Sequence, residues 1–281
     1  MIAVDAQRLL GRIRELGAVG RDGEGRLTRL AASDTDRQGR DLFVGWLRQA
    51  GLDVAIDRIG NIFGIWQSAD NVGEAPLLIG SHIDTVIDAG IYDGCYGVLA
   101  GLEVIETLKA SGLSPLRPLA VAAFTNEEGV RFSPDMMGSL VHAGGVDVEA
   151  ALAAVGTDGS TLGQELVRIG YAGEREPGFL KPHLYVELHI EQGPVLEREG
   201  IPIGAVETCR ASPGSASPSM ASPTMPAPRR CRCAATPDMP RHAWSPSCMT
   251  LPRPPTRRPL PPSARCASSR TPSMSSHRAP S

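Results

Sequence analysis

Three short stretches of the sequence concentrate the imidazoles and carboxylates that could do chemistry. In GSHIDTVIDAGIYDGCYGVLAGL (Gly80–Leu102), His82, Asp84, Asp88 and Asp93 fall within a dozen residues. Glu127 and Glu128 follow the apolar run LAVAAF, and His189 closes LYVELHI, with Gln192 three residues on. His82-x-Asp84 reads in two ways: a metal-ligating imidazole whose other ring N–H is held by an acid, or a polar loop with a helix cap. Asp93, flanked by glycine, can bridge two cations or simply make a turn. Two adjacent acids repel each other unless something positive sits between them. Glu127 and Glu128 can therefore divide the labour, one binding metal and one taking a proton from water, or can form a solvated acidic turn. His189 can be a ligand or a satisfied core histidine. Taken together, His82, Asp93, Glu128 and His189 make a nitrogen/oxygen donor set suited to zinc, manganese or cobalt. Cys95 is alone there, so no thiolate cluster is implied. No G-x-S-x-G and no phosphate-cradling glycine loop occurs, which leaves serine-hydrolase and nucleotide-binding readings without support.

The elements that must present these residues are legible from periodicity. MIAVDAQRLLGRIREL predicts an amphipathic helix with Val4, Leu9, Leu10, Ile13 and Leu16 on one stripe. Ser33 or Thr35 can cap a second helix running to Ala50, with Gly51 as its stop. Leu52–Ile56 and Asn61–Trp66 read as strands joined by a turn at Arg58-Ile59-Gly60. Leu77–Gly80 is a buried strand feeding the His82 loop, and Val98–Lys109 is the helix leaving it. Leu119–Phe124 is continuously apolar, as expected of a strand covered on both faces. Short helices are predicted at Ser139–Ala143, Val148–Val155 and Thr161–Ile169, and strands at Leu184–Ile190 and from Ile203 to Glu207. Alternating strands and helices indicate a wound α/β sheet, whose strand ends carry the chemistry.

Composition divides the chain in two. It has 281 residues, 42% hydrophobic and 4% aromatic, with a net charge of −3. Residues 1–208 hold 17 Lys+Arg and 30 Asp+Glu, a net of −13. Residues 209–281 hold 11 Arg, no Lys and one acid, Asp238, together with 16 of the 24 prolines and five of the six cysteines. Prolines there interrupt every possible helix or central strand, so this stretch reads as an irregular basic tail. No run is long and apolar enough to span a membrane, and the N-terminus is not built like a signal peptide, so a cytoplasmic location is expected.

The motifs GSHIDTV, YDGCYGVLAGLEVI, FTNEEGVRF and ELHIEQGPVLE, in this order, resemble the amidase, hydantoinase/carbamoylase family of the zinc aminopeptidase/acylase superfamily. The resemblance covers residues 1–208. It implies an α/β zinc-aminopeptidase-like wound mixed sheet flanked by helices. It also implies two divalent metal ions (zinc, or manganese or cobalt). His82 and His189 would hold one ion, Asp93 would bridge, and Glu128 would hold the second. Glu127 would be the general base, Asp84 would orient His82, and Gln192 would lie near the substrate. The implied reaction is hydrolysis of the linear amide or ureido C–N bond of an N-carbamoyl amino acid or a related ureido acid such as allantoate. The alternatives are a metallo-aminopeptidase or acylase, and a non-catalytic metal-binding remnant. Nucleic-acid binding through the Arg-rich tail has no motif and one aromatic, Trp244, behind it.

The family pattern continues with a lid domain, through which its members dimerise, and then a final histidine ligand. Nothing after Thr208 matches either, and neither His242 nor His277 is assigned. The chain is thus expected to be a truncated catalytic domain with an aberrant tail, to turn over little substrate, and to have lost the family homodimer with its lid. A reading-frame shift is the expected origin of the tail. With synonymous codons chosen freely, Ser222–Cys231 permits ANHAGTTPM one base out of frame, and the codons on to Trp244 permit PLRRDAGHAA. These strings resemble the family's lid signature. The gene's sequence across codons 205 to 215 decides the matter.

Overall fold

A computed structural model describes residues 2–206. The tail and its arginines, cysteines, His242 and His277 lie outside the described residues. Two compact units divide the chain, Met1–Ile201 and Pro202–Ser281, and the architecture below is that of the first.

Helix α1 (Ala6–Leu16) begins where the Asp5 side chain accepts the N–H groups of Gln7 and Arg8, and it buries Ile13 and Leu16. Val4 lies before this cap and is 53% exposed, so it leaves the expected stripe. Helix α2 (Asp34–Gln49) is capped by Ser33, carries Asp34 and Asp36 in its first turn, and buries Phe43, Val44, Trp46 and Leu47. Strands β1 (Asp53–Ile56) and β2 (Ile62–Trp66) form an antiparallel hairpin. Its turn is held by the Asp57 carboxylate, which accepts the backbone and side-chain N–H groups of Asn61, both at 2.8 Å. Strand β3 (Leu77–His82), helix α3 (Cys95–Ala110) and strand β4 (Leu119–Phe124) make a parallel β-α-β unit. Three short helices follow, α4 (Met137–His142), α5 (Val148–Leu152) and α6 (Leu162–Ile169), the last opened by a Thr161–Gln164 capping box. Strand β5 (Leu184–Val186) and helix α7 (Val195–Glu199) complete the described elements.

The strands form one mixed sheet in the order β1-β2-β4-β3-β5. On one face α1, α2 and α3 pack over Ile62, Val121 and Ala123, with Leu47, Leu99, Leu102 and Ile105 in the same core. On the other, Phe63, Leu78, Ala120, Ala122 and Phe124 pack together with Phe179 and Leu180. The unbroken apolar character of LAVAAF follows from this double burial: all six residues of β4 are buried. Helix α1 is tied to α3 by Arg8, whose Nε and Nη2 donate to Glu103 at 2.7 and 2.8 Å.

Register does the positioning. Gly80↔Ala122, Ser81↔Ala123 and His82↔Phe124 are in parallel pairing, and Ile79↔Val186 extends the same direction to β5. Three parallel strands therefore release their following loops at one edge of the sheet. Two strand expectations need correction here. Only Leu184–Val186 of the expected Leu184–Ile190 strand pairs, because the β3 partner run stops at Ile79. From Glu187 the chain instead turns across the start of α3, where a side chain on Gly97 would meet the Leu188 carbonyl at 2.5 Å. Ile203–Val206 is irregular rather than a strand, and Glu207 lies outside the described residues. Helix α7 had no counterpart in the periodicity reading. Among the described residues no helix is long and apolar enough to cross a membrane.

Candidate metal centre

His82 is the last residue of β3 and is 2% exposed. Its Nδ1 lies 3.0 Å from the backbone carbonyl of Asp84. A carbonyl can only accept, so Nδ1 carries a proton, and in the neutral ring Nε2 carries the lone pair. His189 repeats the device on the loop after β5: its Nδ1 faces the Ile190 carbonyl at 2.8 Å, and its Nε2 is left as an acceptor. Both Nε2 atoms point at Oδ1 of Asp93, from 4.0 Å for His82 and 3.1 Å for His189. That oxygen is buried and has no hydrogen-bond partner. One ligand atom from each of the three residues fits within a 4.8 Å spread. With both rings neutral, three acceptors converge with no donor among them, and a cation is what such a set lacks.

Glycine makes the approach possible. Gly94 has φ +62°, and a Cβ there would collide with His82 Nε2. The other oxygen of Asp93 accepts from Gln192 Nε2. Gln192, expected near substrate, thus holds the Asp93 carboxylate in place.

Asp84 meets the His82 ring through its main chain. Its carboxylate is 3.9 Å from His82 Nδ1 and does not accept from the ring; its backbone carbonyl does. The carboxylate is occupied elsewhere, accepting the N–H groups of Glu127 at 3.3 Å and Glu128 at 3.2 Å. Asp84 therefore fastens the acidic pair to the end of β3. Glu127 Oε2 stands 3.4 Å from His82 Nε2, while Glu128 is not part of the compact three-residue set. Glu127 also forms part of the wall of an open cavity of about 760 Å³ whose apolar lining includes Leu78, Phe124, Leu180 and Tyr185.

Two supporting residues escaped sequence reasoning. Glu187 accepts from Ser81 Oγ and from the Tyr185 hydroxyl, both at 2.6 Å, and so links the ends of β3 and β5. Asn126 precedes the acidic pair at φ +54° and donates to the carbonyls of Phe132 and Pro134. Its signal was available, since asparagine tolerates the left-handed region better than most residues.

Comparison with known proteins places this geometry. Residues 78–267 match the profile of Peptidase family M20/M25/M40. The chain belongs to that family. An N-carbamoyl-L-amino-acid amidohydrolase of Rhizobium meliloti is 41% identical over 207 residues, covering 74% of this chain and 50% of its own. An N-carbamoyl-L-amino acid amidohydrolase of Geobacillus stearothermophilus is 40% identical over 209 residues, covering 72% and 50%. A solved hydantoinase/carbamoylase family amidase from Burkholderia vietnamiensis superposes with a TM-score of 0.69 at 45% identity, covering 71% of this chain and 48% of that one. The resemblance carried by the four motifs and the expected α/β mixed sheet are both borne out. The chain spans about half the length of the relatives it matches.

Within this M20 chain the acids behave as a cluster short of positive charge. Burial pushes Glu128 up to about 7; His82 acts against this, and Asp93, Asp84 and Glu127 add to it. Burial likewise raises Glu127 and Asp84. Burial works to lower His82, but the charges of Asp84 and Glu127 outweigh it and the ring is raised. Away from the centre, burial lifts Asp57 to about 7. Each of these groups holds its proton more firmly in the folded chain than in the unfolded one. Their contribution is complete below the ordinary carboxylate value, and for His82 below 6.5, and it is lost as pH rises through the folded values. His142, lowered by burial, works in the opposite sense but is a single group. Metal-free protein is therefore expected to melt at a lower temperature at pH 8 than at pH 5. Added cobalt(II) is expected to cancel most of that fall, because a bound cation offsets the charge of ionising the cluster. Melting curves in EDTA and in cobalt across this range check it.

Proposed function

We propose that the protein supplies the first-metal half of a binuclear amidohydrolase centre acting on linear ureido or amide C–N bonds. The substrates would be small N-carbamoyl amino acids or related ureido acids. The observation that supports this reading most is the convergence of two lone-pair nitrogens on the unpartnered Asp93 oxygen. His82, Asp93 and His189 would hold one divalent ion, zinc or else manganese or cobalt. Asp93 would be shared with a second ion, and Glu128 would turn toward that ion. Bound there, the ions supply Lewis acidity toward water and the substrate carbonyl. Glu127 takes the proton from the attacking water and delivers it to the leaving nitrogen. Its carboxylate is suited to this proton transfer, because burial raises its proton affinity and it borders an open cavity. Asp84 keeps Glu127 at its station through the backbone. Gln192 keeps Asp93 from rotating away.

In this proposal residues 209–281 are an out-of-frame continuation, and the location is cytoplasmic. The relatives' alignments, 207 and 209 residues long, have the length of the part before the compositional break. The profile match reaching residue 267 runs across that break and weighs the other way.

Ammonia release from N-carbamoyl-L-amino acids by the cobalt-loaded chain tests the activity. Turnover is expected to be small but above that of N-acetyl amino acids and dipeptides. Glu127→Gln is expected to lower it by roughly 10²–10⁴-fold with the bound cobalt unchanged. Faster cleavage of dipeptides would favour the aminopeptidase reading, and bound cobalt without any turnover the non-catalytic one.

A further inference from the structure

Arg29 is fully buried, with 0% exposure, yet none of the four groups its guanidinium meets is a carboxylate. Nη1 donates to the carbonyls of Leu16 at 2.9 Å and Val19 at 2.8 Å, at the C-terminal end of α1. Nε donates to the carbonyl of Ile83 at 2.7 Å, and Nη2 to Cys95 Sγ at 3.3 Å. The open carbonyls at a helix C-terminus are a favourable place for a cation. They explain how this charge can be buried, but not why it reaches on to Ile83 and Cys95.

Those two partners bracket the loop that carries the metal ligands. Ile83 lies between His82 and Asp84, whose carbonyl fixes the His82 tautomer. Cys95 stands two residues after Asp93, and its N–H donates to the Asp93 carbonyl at 2.5 Å. The main chain of the same segment adds further ties. Arg29 N–H donates to Thr85 Oγ1 at 2.8 Å, Thr85 N–H to the Arg29 carbonyl at 2.9 Å, and Ala89 N–H to the Leu27 carbonyl at 2.8 Å. Helix α2 makes room for the arginine stem, since a Cβ on Gly39 would meet Arg29 Cδ at 2.9 Å. A glycine in a helix interior is destabilising relative to alanine, and this fit accounts for its presence.

We infer that Arg29 is a positioning residue for the metal centre: its fork pins the 83–95 loop at both ends and so sets the separation of His82 from Asp93. The inference rests on the metal centre proposed above. A lysine could keep the charge but not the four-point fork.

Cobalt(II) chloride titrated into the full chain and followed by visible absorbance tests it. The samples are wild type, Arg29→Lys, Arg29→Met, His82→Ala, and Arg8→Met as a control. Arg8 also ties α1 to α3, through buried Glu103, but touches neither metal-bearing loop. Melting curves establish that each variant is folded at the titration temperature. Both Arg29 variants are expected to raise the cobalt Kd by about 10–100-fold, the range for loss of an outer-shell partner, and to change the ligand-field bands. Arg8→Met is expected to melt earlier with an unchanged Kd. Wild-type Kd and bands in folded Arg29→Lys would overturn the inference while leaving the metal centre intact. So would an equal loss of affinity in Arg8→Met. A wild-type chain that takes no cobalt, like His82→Ala, would overturn the metal centre and the inference together.

Discussion

Asp93→Ala is expected to abolish cobalt binding while leaving the metal-free fold at least as stable as wild type. The two halves of this result pull in opposite directions, which is what makes it informative. The Asp93 oxygen that faces both imidazoles is buried and unpartnered. An unsatisfied buried acceptor costs about 1–3 kcal/mol, more when charged, so truncating it removes a penalty that outweighs the one hydrogen bond lost with it, from Gln192 Nε2 to the other oxygen. The same truncation takes the sole anionic donor from the set of His82, Asp93 and His189. The loss of affinity should exceed the roughly 10–100-fold that follows loss of an outer-shell partner. Asp93→Asn sharpens the test. Its amide can donate to His189 Nε2, which lies 3.1 Å from the present oxygen, so the metal-free variant is expected to melt above wild type and still bind no cobalt. Wild-type cobalt affinity in Asp93→Ala would remove the centre described here.

Arg40→Leu is expected to be the most destabilising single change outside the centre. Arg40 is 2% exposed and joins three parts of the fold. Nε donates to Asp36 Oδ2 at 2.7 Å on α2, Nη1 to the Gly60 carbonyl at 2.7 Å in the β1–β2 turn, and Nη2 to Thr125 Oγ1 at 3.2 Å after β4. Its guanidinium also lies over the Tyr171 ring, 5.3 Å from the centroid. Removing one partner of a buried pair strands the other, at about 3–5 kcal/mol. For a chain of this size that is a fall of roughly 6–20 °C in melting temperature. Asp36→Asn added to Arg40→Leu should recover part of the loss, because the stranded charge is then gone. The double variant keeps an acceptor for the Ala32 N–H, which Asp36 Oδ2 now takes at 2.7 Å. A change within about 2 °C for Arg40→Leu would show that the pair is not a support of the fold.

The order of elements and the chemical types at the strand ends were readable along the chain. LAVAAF ran from Leu119 to Phe124 as read, Ser33 capped α2, and Thr161 opened α6. These features depend on neighbours within a few residues: a period of two or 3.6, a capping oxygen, a glycine stop. His82 and His189 were likewise marked by their positions at the ends of apolar runs and Asp93 by the glycines beside it, and the structure brings those three together.

What could not be read was which atom meets which. His189 lies on a loop rather than in a strand, because the β3–β5 ladder ends at Val186 and the chain then crosses α3 at Gly97. Asp84 serves His82 with its carbonyl, because the N–H groups of Glu127 and Glu128, more than forty residues away, claim its carboxylate. Arg29, a single charge among Leu27, Leu30, Ala31 and Ala32, became the four-point tie between α1 and the loop from Ile83 to Cys95. Each of these outcomes is a competition among donors and acceptors that long-range strand register brings within reach. A linear string records the competitors, but not the distances at which they meet.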